Sequence, residues 1–500
     1  MTKPRISLLL GATLAPLWLG GCASVLFNPD DTVVAPEAAV PVAPAFSDFV
    51  PAALPRADWV QSFDDPRLTE LVDVALSRNT TVLGSLAAVD AALAGVEQAE
   101  ADRLPTVGGS AGVSRRQRFK NGTFTDPNTG LVFPSTQPLG QTNFSLGLNA
   151  QWEPDFWGRV RDRIDASEFE VEASAAELAS ARLSVAGQVA QTYFALIESR
   201  QLVELSTRDV DTQQRFLRLT ERRFEAGLTG ASDVRLARSS VASSEALQAT
   251  RRQVLGDTAR RLEVLLRAFP NDTLDAPARF PALPDFTGAG TPATMLQRRP
   301  DLIAQEARLY SQGIQVDLAR KALLPQIGLS SSLSEGVLNL EQLFDIESIV
   351  GTLAANLTAP IFNNGRLVAG VERQEAILRQ GVERYAGAAL AAFREVEDAL
   401  AAEQRLAERE AALRRSLDEA RKAEERLELR YTEGLATILQ LLDAQSRRLS
   451  SEGQLISAQA ERLQNRVRLH VALGGGEAAG GAVLPGVPAV TTQTTGPMTP

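Results

Sequence analysis

The chain of 500 residues contains one cysteine, Cys22, and one histidine, His470. A lone thiol excludes an intrachain disulfide. The shortage of both residue types excludes zinc sites of the His/Cys kind, histidine triads and Cys-His nucleophiles. His470 lies near the end of the last helical stretch, where it reads as a helix C-terminal cation. No G-x-x-x-x-G-K-[ST] phosphate loop occurs, so the chain is not a nucleotide-driven motor. Beyond the first residues no run reaches 18 uncharged apolar positions, and no later membrane helix is predicted. The formal charge of −10 argues against nucleic acid as a partner. No carboxylate pair stands out from the helix-surface charges, and no segment offers a pocketed globular domain. The reading is a protein without catalytic chemistry, metal or cofactor.

What is present begins with a processing signal. Lys3 and Arg5 precede the apolar run Ile6–Leu19, and Leu19-Gly20-Gly21-Cys22 follows. Residues 1–21 read as a secretory signal ending in a lipoprotein cleavage box, with Cys22 the lipid attachment site. Ala23 follows in place of the aspartate of an inner-membrane retention signal, which favours the outer membrane. Residues 22–58, rich in Pro, Ala and Val, read as a lipidated tether.

Two stretches organise the rest. Arg159–Gly227 and Arg366–Gly434 each hold roughly 67 residues without proline, enough for a single helix of about 100 Å. They are copies of one another. Pro154-Asp155-Phe156-Trp157-Gly158-Arg159 aligns with Pro360-Ile361-Phe362-Asn363-Asn364-Gly365-Arg366, and Arg223-Phe224-Glu225-Ala226-Gly227 aligns with Arg430-Tyr431-Thr432-Glu433-Gly434. Dense alanine and Leu406, Leu413, Leu417 and Leu427 at coiled-coil-like spacing favour close-packed helices. Gly227 and Gly434 end the rods at tight turns. Return helices follow over about 232–267 and 438–473. The first repeat spans 59–267 and opens with one helix from Pro66 to about Arg103. A Pro-rich connector covers 268–291. The second repeat covers 292–476 and opens with one helix from about Pro292 to Leu324. Residues 477–500 read as a disordered tail.

Before each rod the period changes from 3.6 to 2. Val107, Gly109, Ala111 and Val113 alternate with Thr106, Gly108, Ser110 and Ser114. Phe144, Leu146, Leu148, Ala150 and Trp152 alternate with Ser145, Gly147, Asn149 and Gln151. The second copy repeats this at Ile327–Ser334 and Thr352–Ala359. Four such strands, apolar on one face and small and polar on the other, fit a membrane β-barrel with lipid outside and water inside. Four strands cannot close, and open edges are not tolerated in lipid. Two copies would give eight strands and a filled interior; three give twelve, wide enough for water. The expectation is a homotrimer.

Several elements together resemble the outer membrane factor family: Trp59-x-x-x-Phe63-x-Asp65-x-x-Leu68, Arg298-Arg299-Pro300-Asp301-Leu302, the repeated Pro-x-Phe-x-Gly-Arg corners, and Arg430-Tyr431-x-x-Gly434 with Leu441-Leu442-Asp443-Ala444-Gln445. These are TolC-like outer membrane efflux proteins, and the lipid box is similar to that of the NodT/OprM lipoprotein branch. The resemblance implies a mainly α fold with a membrane β part, a 12-stranded β-barrel continuous with a periplasmic α-helical barrel. It implies a passive exit duct for small molecules, fed by a periplasmic adaptor (membrane fusion protein) and an inner-membrane pump of the resistance-nodulation-division type. It places adaptor contacts at the turns Gly227-Leu228-Thr229 and Gly434-Leu435-Ala436. It places the periplasmic gate at Asp443, an acidic ring, and at Leu439, an apolar plug. Asp233 and Leu236 stand in the related region of the first copy without the same pattern. Gln440 departs from members with a second acidic ring. A structural or adhesive trimeric lipoprotein is the rival reading, but it would not need amphipathic strands at two equivalent positions.

Overall fold

The computed structural model describes residues 39–46, 58–117, 123–134, 140–286, 288–339, 341 and 349–475. The signal segment, Cys22, most of the tether and the tail 477–500 lie outside them. The elements in chain order are α1 (Pro66–Arg78), α2 (Thr80–Ala101), β1 (Thr106–Gln117), β2 (Thr123–Thr125), β3 (Val132–Pro134), β4 (Gly140–Trp152), α3 (Arg159–Glu225) and α4 (Ala231–Leu265). The second half adds α5 (Pro292–Leu296), α6 (Pro300–Lys321), β5 (Gln326–Val337), β6 (Val350–Thr358), α7 (Arg366–Thr432) and α8 (Ile438–Ala472). Both rods are unbroken helices of 67 residues, and both return helices have 35. The internal repeat is therefore structural.

Residues divide into two compact units, one holding 92–171 and 309–381, the other 36–91, 172–308 and 382–500. In the first, β1, β4, β5 and β6 form an antiparallel sheet in the order β1-β4-β5-β6. The register joins like faces: Gly109 pairs with Leu148, Leu148 with Leu333, and Leu333 with Gly351, while Gly108 pairs with Asn149 and Asn149 with Ser332. One continuous apolar face results, with Val107, Val113, Leu148, Leu333, Leu353 and Leu357 all exposed. β1 and β6 each keep one edge free of partners among the described residues. Two strands go beyond the expected pattern: β2 and β3 form a small hairpin inside the polar loop after β1.

Helix α6 packs on α7 in this unit, where a Cβ at Gly381 would collide with Leu309 and Gln312. Lys321 pairs with Asp162 at 2.6 Å and Arg320 with Glu375 at 2.9 Å.

The second unit has the larger core, which gathers Trp59, Phe63, Leu68, Tyr193, Phe194, Leu262 and Val467. Asp65 positions its first helix. One carboxylate oxygen accepts from the N–H groups of Arg67 and Leu68, the other from the Tyr193 hydroxyl at 2.8 Å. Pro66 supplies a preformed first turn.

Two expected helices are interrupted. The stretch from Pro66 breaks at Asn79, whose amide donates to the Leu265 carbonyl at 2.8 Å and accepts from Thr81 N–H. The stretch from Pro292 breaks at Gln297–Arg299. There the Arg299 guanidinium holds Asp301, Glu395 and the Ala472 carbonyl. Gly474, at φ +83°, lies so close that a Cβ would press on the Arg298 carbonyl at 2.9 Å. The Arg-Arg-Pro-Asp element is thus a fastener between helix ends.

The expectation for His470 is corrected. It is buried and stacks on Trp59 at 5.7 Å, and desolvation with Arg466 nearby lowers its pKa to about 4. It is a neutral core ring at pH 7 rather than a helix-end cation.

Candidate functional site: the helix-turn tips and the constriction residues

The two turns share one backbone design. Gly227 and Gly434 adopt φ +73° and +78°, which only glycine tolerates cheaply. Leu228 N–H returns to the Arg223 carbonyl at 2.8 Å and Leu435 N–H to the Arg430 carbonyl at 2.7 Å, so both rods close with a Schellman pattern. Leu228 and Leu435, one residue past each glycine, are 66% and 64% exposed, projecting apolar surface from both turns. Thr229 donates to Asp233 in the first turn, so Asp233 serves the turn itself. In the second, Thr437 and Gln440 form a capping box. Gln440, the departure from a second acidic position, therefore works as a helix cap.

Asp443 and Leu439 lie on the first turns of α8 and share an exposed face, 62% and 63% accessible. The opposite face carries Ile438, Leu441 and Ala444 into the core. Sequence reasoning missed that Asp443 is not alone: Arg447, one turn on, pairs with it at 2.8 Å, and this bond raises the Arg447 pKa further.

Also missed was Arg223. Its guanidinium reaches from α3 to the carbonyls of Tyr431 and Thr432 at 2.9 and 3.1 Å and lies 5.0 Å from the Tyr431 ring. Tyr431 packs against Phe216 beneath it, with Ala237, Ile438 and Leu441 completing a small apolar cluster.

Above that cluster the interior turns polar. Gln213 donates to Gln445 at 3.2 Å, and Asp209, 2% exposed, accepts from Ser244 at 2.6 Å. Arg448 contacts Glu424 at 2.5 Å, Glu452 at 3.1 Å and Asp209 at 4.0 Å, while Arg208 and Arg421 also reach Glu452. Burial raises the Glu424 pKa despite Arg448. The next layer is apolar again, with Leu202, Leu205 and Ile456. The available signal was Gln445, Arg448 and Glu452 continuing the stripe of Leu441 at spacings of three and four.

Among the described residues no group of acidic, His or Cys side chains could hold a metal ion. An amphipathic sheet with open edges, two proline-free rods and paired turns define a class: channels that join a membrane β-barrel to a helical duct. The sequence model of the family described as outer membrane efflux protein matches residues 71–266 and 291–475. The chain belongs to that family. It is 32% identical over 429 residues to the pyoverdine export outer membrane protein OpmQ of Pseudomonas putida, covering 85% of this chain and 89% of that one. It is 30% identical over 488 residues to the outer membrane protein OprJ of Pseudomonas aeruginosa, covering 95% and 97%. The solved structure of the outer-membrane channel OprN superposes with a TM-score of 0.76 at 26% identity, over 89% of this chain and 99% of that one. The chain is an outer-membrane efflux channel, the exit duct of a tripartite system.

Proposed function

We propose that three copies close their open sheet edges into a 12-stranded barrel, and that the duct narrows at Asp443 and Leu439. The observation that carries the reading is the sheet with an apolar outer face and an unpaired edge on both β1 and β6. Unpaired backbone in hydrocarbon costs several kcal/mol per group, so closure by identical copies is the economical solution. On the axis, three carboxylates about 6 Å apart would repel by roughly 1–3 kcal/mol per pair. Each Arg447 offsets part of that repulsion, so the ring attracts cations less strongly than three bare carboxylates. In single-channel recordings, Asp443→Ala should abolish block by multivalent cations from the turn side. Arg447→Ala should strengthen the block, and Leu439→Ala should raise resting conductance. Parental behaviour in all three variants would place the constriction elsewhere.

The exposed leucines and adjoining residues of the turns, Gly227-Leu228-Thr229 and Gly434-Leu435-Ala436, form the surface for a periplasmic adaptor. The adaptor links the duct to an inner-membrane pump of the resistance-nodulation-division type. Cys22 carries lipid and tethers the chain to the outer membrane. Two measurements on native envelopes check these partners. Photo-cross-linkers at Leu228 and Leu435 should capture the adaptor, and Cys22→Ser should lose palmitate label. Absent adducts or retained label would refute the respective part.

A further inference from the structure

The polar face of the four-stranded sheet has no role in the site above, and its composition is one-sided. It is the face opposite Leu148 and Leu333, where Gly108 pairs with Asn149 and Asn149 with Ser332. Apart from Ala354, Val350 and a single arginine, every residue that the register puts on this face is Ser, Thr, Asn, Gln or Gly.

The exception is Arg116, which pairs with Gln141 near the end of β1. It follows Thr106 by ten residues, about 33 Å along the strand, so it stands at the end of the sheet away from the rods. Its side chain is exposed, and no carboxylate among the described residues pairs with it. Arg115 and Glu335 are the other charges on the four strands. Alternation puts both on the apolar face: Arg115 lies two residues from Val113, and Glu335 stands opposite Leu146. The uncharged residues around Arg116 lie low against the backbone. The Ser145 hydroxyl leans over Gly112 and donates to its carbonyl at 3.3 Å, and Asn149 covers Gly108 in the same way. The polar face is thus a shallow uncharged lining with one cation at its far end.

We propose that Arg116 sets the charge preference of the duct at its outer end. Three copies place three guanidinium groups on one ring of an otherwise uncharged passage, where small anionic solutes are favoured over cationic ones. In a 12-stranded barrel with strands tilted by about 40°, the Cα radius is about 12 Å, and arginines reaching about 6 Å inward stand about 10 Å apart. That is one Debye length at about 0.1 M salt, so the three fields overlap across the opening. The sign is opposite to that of the Asp443 ring at the turns. A solute therefore meets a cation-attracting constriction on entry and an anion-attracting one on exit. This rests on the membrane-barrel reading, and the experiment separates the two.

The full chain is reconstituted in planar phosphatidylcholine bilayers under a potassium chloride gradient, and the reversal potential is read. At about 0.1 M salt, Arg116→Gln should lower the chloride-to-potassium permeability ratio roughly two- to threefold, and Arg116→Glu should lower it further. Near 1 M, where the Debye length is about 3 Å, the variants should converge on the parent. Arg115→Gln, one position away on the apolar face, should leave the ratio unchanged. Modifying assembled channels keeps charge apart from folding. In a Cys22→Ser, Arg116→Cys protein, a cationic thiol reagent should restore the anion preference, and an anionic reagent of similar size should reverse it. A parental ratio in conducting Arg116→Gln and Arg116→Glu channels, or no effect of either reagent, would overturn the proposal. A shift in Arg115→Gln with none in Arg116→Gln would mean that the apolar face lines the passage, against both the barrel reading and the ring. A parent that does not conduct would count against the barrel itself, and the ring would fall with it.

Discussion

The two turns arise from one duplicated unit and share their backbone, yet they are stabilised differently. Arg223 and Arg430 occupy equivalent positions at the rod ends. Arg223 crosses to the second rod and caps its final carbonyls, whereas Arg430 reaches only Leu435 in its own turn at 3.3 Å. The residues that follow differ as well: Tyr431 is 4% exposed in the tip cluster, while Phe224 is 46% exposed. The second tip is thus held by the first, and the first holds itself. Duplication supplied two similar hairpins, and divergence at a few side chains made one the support of the other. Asp443 and Leu439 sit on the supported hairpin.

That asymmetry can be broken in graded steps, each read by amide exchange across Arg430–Gln440 and, for reference, across Arg223–Asp233. The largest effect is expected from Tyr431→Ala, which should reduce protection around the second turn by about 3–5 kcal/mol, as loss of a buried aromatic does. Phe224→Ala should stay within about 0.5 kcal/mol, as surface changes do. Equal losses would mean that the tips are equivalent. A smaller contrast is expected for the arginines. Arg223→Ala removes two charge-assisted hydrogen bonds and should cost the second turn, not its own, about 1.5–3 kcal/mol. Arg430→Ala should cost under about 1 kcal/mol. If Arg223→Ala loosens its own turn instead, the direction of support is reversed.

The rods, the return helices and the four main strands were legible because each depends on local pattern. Proline-free, alanine-rich stretches end at a glycine, and apolar residues alternate with small ones. What was not legible depends on partners far away in sequence. Residues 66–103 keep helical character across Asn79; the break is made by the Leu265 carbonyl. Arg298-Arg299-Pro300-Asp301 marked the family, but its fastening role needs Glu395 and Ala472, far along the second repeat. His470 looked like a helix-end cation because its burial under Trp59 comes from the opposite end of the chain. At the site, the turn glycines and the exposed face of Asp443 and Leu439 followed from motif and helical spacing. Arg447 went unread although its spacing of four from Asp443 carried the signal, and the pairing of Arg223 with Tyr431 required the fold.

The polar belt around Arg448 also bears on how the molecule comes apart. Apolar cores melt as wholes because each buried side chain loses its neighbours together. Here a layer of carboxylates, guanidinium groups and glutamines separates the cluster of Phe216, Tyr431 and Leu441 from that of Leu202, Leu205 and Ile456. Such a layer can exchange internal partners for water at low net cost, since its charges regain hydration as they part. Amide exchange is therefore expected to open the tip as a unit of its own, at lower free energy than the helices beyond the belt; a single shared opening free energy across both clusters would refute this.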